Sequence, residues 1–155
     1  MNRIALVVSL ALLPAAAFAA EPQVSLTSHV SVERKVLDAA GAPTTSYEEP
    51  KLVTPGDRLL FTLDFSNSSG KAVANFVVTD PLPSGVVFAG NESPGARVSI
   101  DGGKTFAALA SLKVVDASGK ARPATNADVT HVRWTFGRPI GANEHGELRF
   151  EAIVR

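Results

Sequence analysis

No cysteine occurs anywhere in the 155 residues of this chain. The sequence therefore offers no disulfide, no thiol nucleophile and no N-terminal cysteine for lipid attachment. Histidine is scarce: His29, His131 and His145 are the only three. The first two fall on the polar faces of alternating strands, the third lies in a Gly-Ala-Asn-Glu-His-Gly loop, and no two stand at metal-ligand spacing. There is no Gly-x-Ser-x-Gly elbow. Asp101-Gly102-Gly103-Lys104 lacks phosphate-loop spacing and opens no helix. No excess of either charge exists, with 15 basic against 15 acidic side chains. A basic face for nucleic acid is thus missing. Helical periodicity is missing too, beyond a short permissive patch at 107–112.

One long hydrophobic run is present, at the very start. Arg3 supplies a positive flank, residues 4–13 are apolar, Pro14 breaks the run, and Ala17-Phe18-Ala19 offers a small-residue cleavage site. About 20 apolar residues are needed to span a bilayer, and this run has roughly half that. It reads as an export signal cut after Ala19. The leader takes Arg3 with it and leaves 14 basic against 15 acidic side chains. With no second apolar run there is no membrane span, and the expected location is periplasmic or secreted. The remaining length suits one domain that buries its own core.

The rest is strand and turn. Between 24 and 32, Val24, Leu26, Val30 and Val32 alternate with Ser25, Thr27, His29 and Ser31, the period of a half-buried strand. Asp38-Ala39-Ala40-Gly41 is a turn, and 42–50 is a loop or weak edge strand carrying Pro43 and Pro50. The organising stretch follows. Thr54-Pro55-Gly56-Asp57 turns into a strand with Leu59, Phe61, Leu63 and Phe65 on one face. Asn67-Ser68-Ser69-Gly70 reads as a hairpin turn leading to a returning strand over 73–79. Pro81 and Pro83, without N–H donors, end the ladder. Gly85 to Phe88 restarts it briefly. Strands are also expected at 97–100 and 104–107 around an Asp101-Gly102 two-residue hairpin, at 112–115, over 128–136 and at the C-terminus. In the last, Leu148, Phe150, Ala152 and Val154 point inward. Short strands with turns every 8–12 residues or so define an all-β sandwich.

Val53-Thr54-Pro55-Gly56-Asp57, Phe61-Thr62-Leu63-Asp64-Phe65-Ser66-Asn67 and the run from Ala74-Asn75-Phe76 to Asp80-Pro81-Leu82-Pro83-Ser84-Gly85 together resemble the DUF11 domain, a bacterial and archaeal cell-surface module. Ser66-Asn67 stands where that family usually has Thr-Asn. The closing strands around Trp134 and from Gly146 to Val154 are similar as well. The resemblance covers about 51–155. It implies an immunoglobulin-like fold for the β-sandwich, in which the turn spacing gives about seven to nine short antiparallel strands; residues 20–50 read as an N-terminal strand or hairpin packed on it in one structural domain. It also implies a non-enzymatic structural or binding role at the cell envelope.

Pro55, Gly56, Asp57, Asn67, Asp80, Pro81 and Pro83 are structural turn residues on this reading. Asp57 caps donors in a turn that Gly56 permits, and Asp80, held extended before a proline, is expected to fold back on nearby amides. A calcium site joining Asp57, Asp80, Glu92 and Asp101 is disfavoured, because Ca²⁺ takes about 6–8 oxygens and no acidic loop has regular ligand spacing. Trp134, in phase with Val132 and Phe136, belongs to the core; Tyr47 is the exposed aromatic. No catalytic residue, metal or cofactor is assigned. The expected partner is another envelope or surface protein, met by surface complementarity or by strand addition, with 24–32 able to pair within the domain or with a neighbour. The alternative is a periplasmic small-ligand or metal carrier using His131, His145 and the aspartate corners.

Overall fold

A computed structural model describes residues 24–155; the leader expected at 1–19 lies outside the described residues. Ten strands run through them: β1 (Val24–Leu37), β2 (Pro43–Glu48), β3 (Arg58–Asn67), β4 (Val77–Pro81), β5 (Val86–Gly90), β6 (Ala96–Ser99), β7 (Lys113–Val115), β8 (Ala121–Pro123), β9 (His131–Thr135) and β10 (His145–Val154). The fold is an all-β sandwich. One sheet has the order β2-β1-β3-β10-β5, the facing sheet the order β4-β9-β6, and β7 and β8 form a separate hairpin. The count passes the expected seven to nine because the weak 42–50 segment is a full edge strand and the turn at Asp116 leads into β8. Among the described residues no helix is long and apolar enough to cross a membrane.

Alternation along β3 builds the core. Leu59, Phe61, Leu63 and Phe65 are buried, each contributing on the order of 1.5–3 kcal/mol by leaving water. The antiparallel neighbour β10 sets Phe150 opposite Phe61, and the two rings stack at 4.7 Å. Trp134 from the facing sheet reaches the same Phe150 ring at 6.2 Å. Phe150 thus joins the two sheets. Trp134 is a core residue whose indole N–H donates to the Ser93 carbonyl at 3.1 Å.

Three expected elements take a different form. Asn67 to Gly70 is no hairpin turn, since β3 and β4 lie in opposite sheets. The chain crosses the sandwich there, with Val73 bridging to Ile140 and Phe76 turning in against Phe65 and Phe136. The returning strand therefore starts at Val77 instead of residue 73. Asp101-Gly102 is likewise no two-residue hairpin. Its carboxylate accepts from the N–H groups of Lys104 and Thr105 and from the hydroxyls of Ser99 and Thr105. These bonds, those to Thr105 first, hold its pKa far below the aspartate range, and they round the loop so that only Val98 and Ala107 bridge. Finally, 126–128 is a 3₁₀ turn with a Thr125–Asp128 capping box, so β9 begins at His131.

Candidate functional site

The feature that stands apart is the outer edge of β1. This strand pairs with β3 along 24–32 but with β2 only along 32–37. Among the described residues, nothing pairs with the other side of 24–31. Which backbone groups face that gap follows from geometry. The Asp38 N–H donates to the Ala42 carbonyl across the β1–β2 hairpin. N–H and C=O direction alternates along a strand, and the register of β1 is unbroken. Val24, Leu26, Ser28 and Val30 therefore turn their N–H and C=O groups to the open edge. The odd-numbered residues turn theirs to β3.

Side chains at this edge carry none of the usual protection. Natural sheets blunt edges with proline, lysine, inward charge or a bulge. β2 starts at Pro43 and is followed by Pro50, and β4 ends at Pro81 with Pro83 close behind. β5 has a bulge against β10 at Glu151/Ala152, and Ser93 then takes over the ladder by bonding both the N–H and the carbonyl of Arg149. β6 carries Arg97. Residues 24–31, Val-Ser-Leu-Thr-Ser-His-Val-Ser, contain no proline, glycine, lysine, arginine or carboxylate. His29 is the only titratable group, 3.5 Å from the Asp64 carboxylate. Leu26, in phase with the core, is 46% exposed, and Val24 and Val30 are only half-buried. On the outer face Ser25, Thr27, Asp64, His145 and Glu147, together with Phe65 and Gly146, line a shallow depression of about 430 Å³.

The turn residues lie elsewhere, each in its own network. Gly56 holds a φ of +95°, which a side chain would strain. Asp57 accepts from the Thr54 N–H and from Arg34 at 2.9 Å, and these bonds, that to Thr54 first, hold its carboxyl below the usual range. The Gly56 N–H and the Asp57 carbonyl both bond Val154, which pins the turn to β10. Pro81 stands opposite His131, while the Pro83 carbonyl accepts from Val86 at 3.2 Å. Asn67 is fully buried. Its Nδ2 donates to the carbonyls of Lys71, Ile140 and Gly141, and its Oδ1 accepts from the Ser69 N–H and hydroxyl.

Asp80 departs from its expected role. It belongs to the same inward phase as Val78, and its Oδ2 is buried with no hydrogen-bond partner. The strand phase turns it in, and the adjoining Pro81 has no N–H to offer. Burial pushes the Asp80 carboxyl above the ordinary aspartate range, with His131 pulling the other way. A carboxyl raised in the folded state favours folding only below its ordinary pKa, and that contribution is lost as pH rises through the folded value. Asp80→Asn is therefore expected to raise stability near neutral pH by about 1 kcal/mol. The gap to the parent closes in urea unfolding at about pH 3, where both side chains are neutral. A variant less stable than the parent at neutral pH would refute this account.

The histidines are not brought together. His131 lies edge-on to Phe106 at 6.5 Å and contacts the Thr130 hydroxyl, whereas His145 opens β10 beside Ser66. Among the described residues no three His, Asp or Glu side chains are placed to share a metal ion. Tyr47, on β2, is 49% exposed.

Sequence reading finds the alternation of β1 but not its open side, because only the register shows that β2 stops at Val32. Comparison with protein-family models, with curated proteins and with solved structures gives no match.

Proposed function

We propose that this chain is an exported, non-enzymatic module of the cell envelope that binds protein by accepting a strand at the edge of β1. One observation carries the reading: an unbulged edge along 24–31, free of lysine, arginine, carboxylate and proline, with alternate residues offering both N–H and C=O. Main-chain bonds supply affinity in such complexes, and pockets for alternate side chains supply selectivity. Half-covered Val24, Leu26 and Val30 are the apolar surface that an added strand would bury. The export signal read in residues 1–19 and the resemblance to cell-surface modules support this role, in the periplasm or outside the cell.

Ser28→Pro tests the mechanism. The Ser28 N–H faces the gap, so a proline there removes an edge donor while leaving the β1–β3 ladder whole. Tagged protein beginning at residue 20 is incubated with envelope extract, and captured proteins are read by mass spectrometry. The parent is expected to retain one dominant protein, and Ser28→Pro, with an unchanged circular dichroism spectrum, to lose it by at least about tenfold. Equal capture by both proteins would sink the edge mechanism.

A further inference from the structure

We infer that the strand added at β1 is β1 of a second copy of the same chain, in one defined register; this rests on the edge reading above. Four residues, Val24, Leu26, Ser28 and Val30, turn their backbone groups outward, and Val32 is already committed to Glu48 of β2. An antiparallel partner bonds these groups only where outward-facing residues stand opposite one another. For β1 against itself, pairing Val24 with Val30 and Leu26 with Ser28 uses all four residues on both copies. Shifting the register by two in one direction sets Val24 against Val32, where β2 already sits. Shifting it the other way sets Val30 against Pro22, which has no N–H to give. The open segment is thus as long as its own self-complement requires.

Side chains agree with that register. Val24 meets Val30 across the junction, and the two Leu26 side chains lie diagonally about the two-fold axis, near enough for long side chains to touch. On the outer face Ser25 meets His29, and Thr27 meets its own copy on the axis. No like charges are opposed, whereas a lysine or glutamate at 26, 27 or 28 would have stood opposite or diagonal to its symmetry mate. The result is a continuous sheet β5-β10-β3-β1 running into β1-β3-β10-β5 of the other copy. Each β2 flanks the end of the incoming strand. Such a two-fold contact is closed and leaves no further edge of this kind, so it stops at a dimer.

Because the chain has no cysteine, single cysteines report the register directly. Thr27 stands opposite itself in a non-hydrogen-bonded pair, with Cα atoms about 4.5 Å apart, inside the range a disulfide spans. Thr27→Cys is expected to form a covalent dimer under mild oxidation. Ser25→Cys and His29→Cys are expected to cross-link when mixed and not alone. Sedimentation of the unmodified protein should show a monomer–dimer equilibrium. Strand-edge contacts are smaller than standard interfaces, so a dissociation constant on the order of 10–100 μM is expected. Ser28→Pro should weaken the dimer at least tenfold.

A protein that stays monomeric at about 1 mM would overturn the inference. Cross-linking through Ser28→Cys but not Thr27→Cys would overturn the register. A monomer that still captures an envelope protein in a Ser28→Pro-sensitive way would leave the edge reading intact and refute only the second copy. Dimerisation and capture both indifferent to Ser28→Pro would refute the edge reading itself.

Discussion

Asn67→Asp is expected to cost about 4 kcal/mol of stability near neutral pH, through loss of buried donors and burial of charge. The side chain is fully buried, and its amide nitrogen faces the carbonyls of Lys71, Ile140 and Gly141. A carboxylate has no hydrogen to give them. It would aim negative charge at three carbonyl dipoles while the crossing between the two sheets lost its fastening. The variant can escape part of this cost by holding its new carboxyl protonated, which means a folded-state pKa raised above the ordinary value. Stability is then best preserved in acid and lost as pH rises through that raised value. Urea unfolding of parent and variant across the acid range measures both effects. A variant within about 1 kcal/mol of the parent at neutral pH would show that the amide is dispensable.

Gly146→Ala is expected to cost about 2–3 kcal/mol by overpacking. Gly146 stands directly opposite Phe65 in the β3–β10 ladder, and the Phe65 ring lies across it. A Cβ on residue 146 would come within 2.5 Å of the Phe65 ring tip. That ring cannot swing aside freely, because Phe136 meets it edge-on at 5.1 Å and Phe76 lies at 6.1 Å. The paired test is a double-mutant cycle with Phe65→Leu, in which the same alanine should become nearly neutral. Equal costs in both backgrounds would show that the ring is not the obstacle. At about 3 °C per kcal/mol for a domain of this size, thermal unfolding resolves either outcome.

Phe61, Phe65, Trp134 and Phe150 were legible as core from period-two alternation alone, because a strand with one buried face writes that face into its sequence. Asn67 was legible as a turn residue and nothing more. Its partners Ile140 and Gly141 lie 73 and 74 positions away, a distance that no local pattern spans. The same limit hid the crossing between sheets, since Asn-Ser-Ser-Gly serves a hairpin and a sandwich crossing equally well. Asp80 misled for a local reason: a carboxylate before proline caps nearby amides only if its strand turns it outward, and here the phase of Val78 turns it in. The open edge of β1 was half legible. Its composition announced an uncharged strand, but whether a strand is central or marginal is a property of its neighbours.

The position of β10 has a consequence for how the molecule comes to be. This last strand inserts between β3 and β5, so the middle of the larger sheet waits for residues 145–154. The β1–β2 hairpin and the β1–β3 ladder can form as soon as their own residues are available. One flank of β3, and the Phe61 ring on it, stays bare until residues 145–154 are available. Closing so long a loop is slow relative to local pairing. The larger sheet is therefore completed from its flanks inward, with β10 closing the gap between β3 and β5.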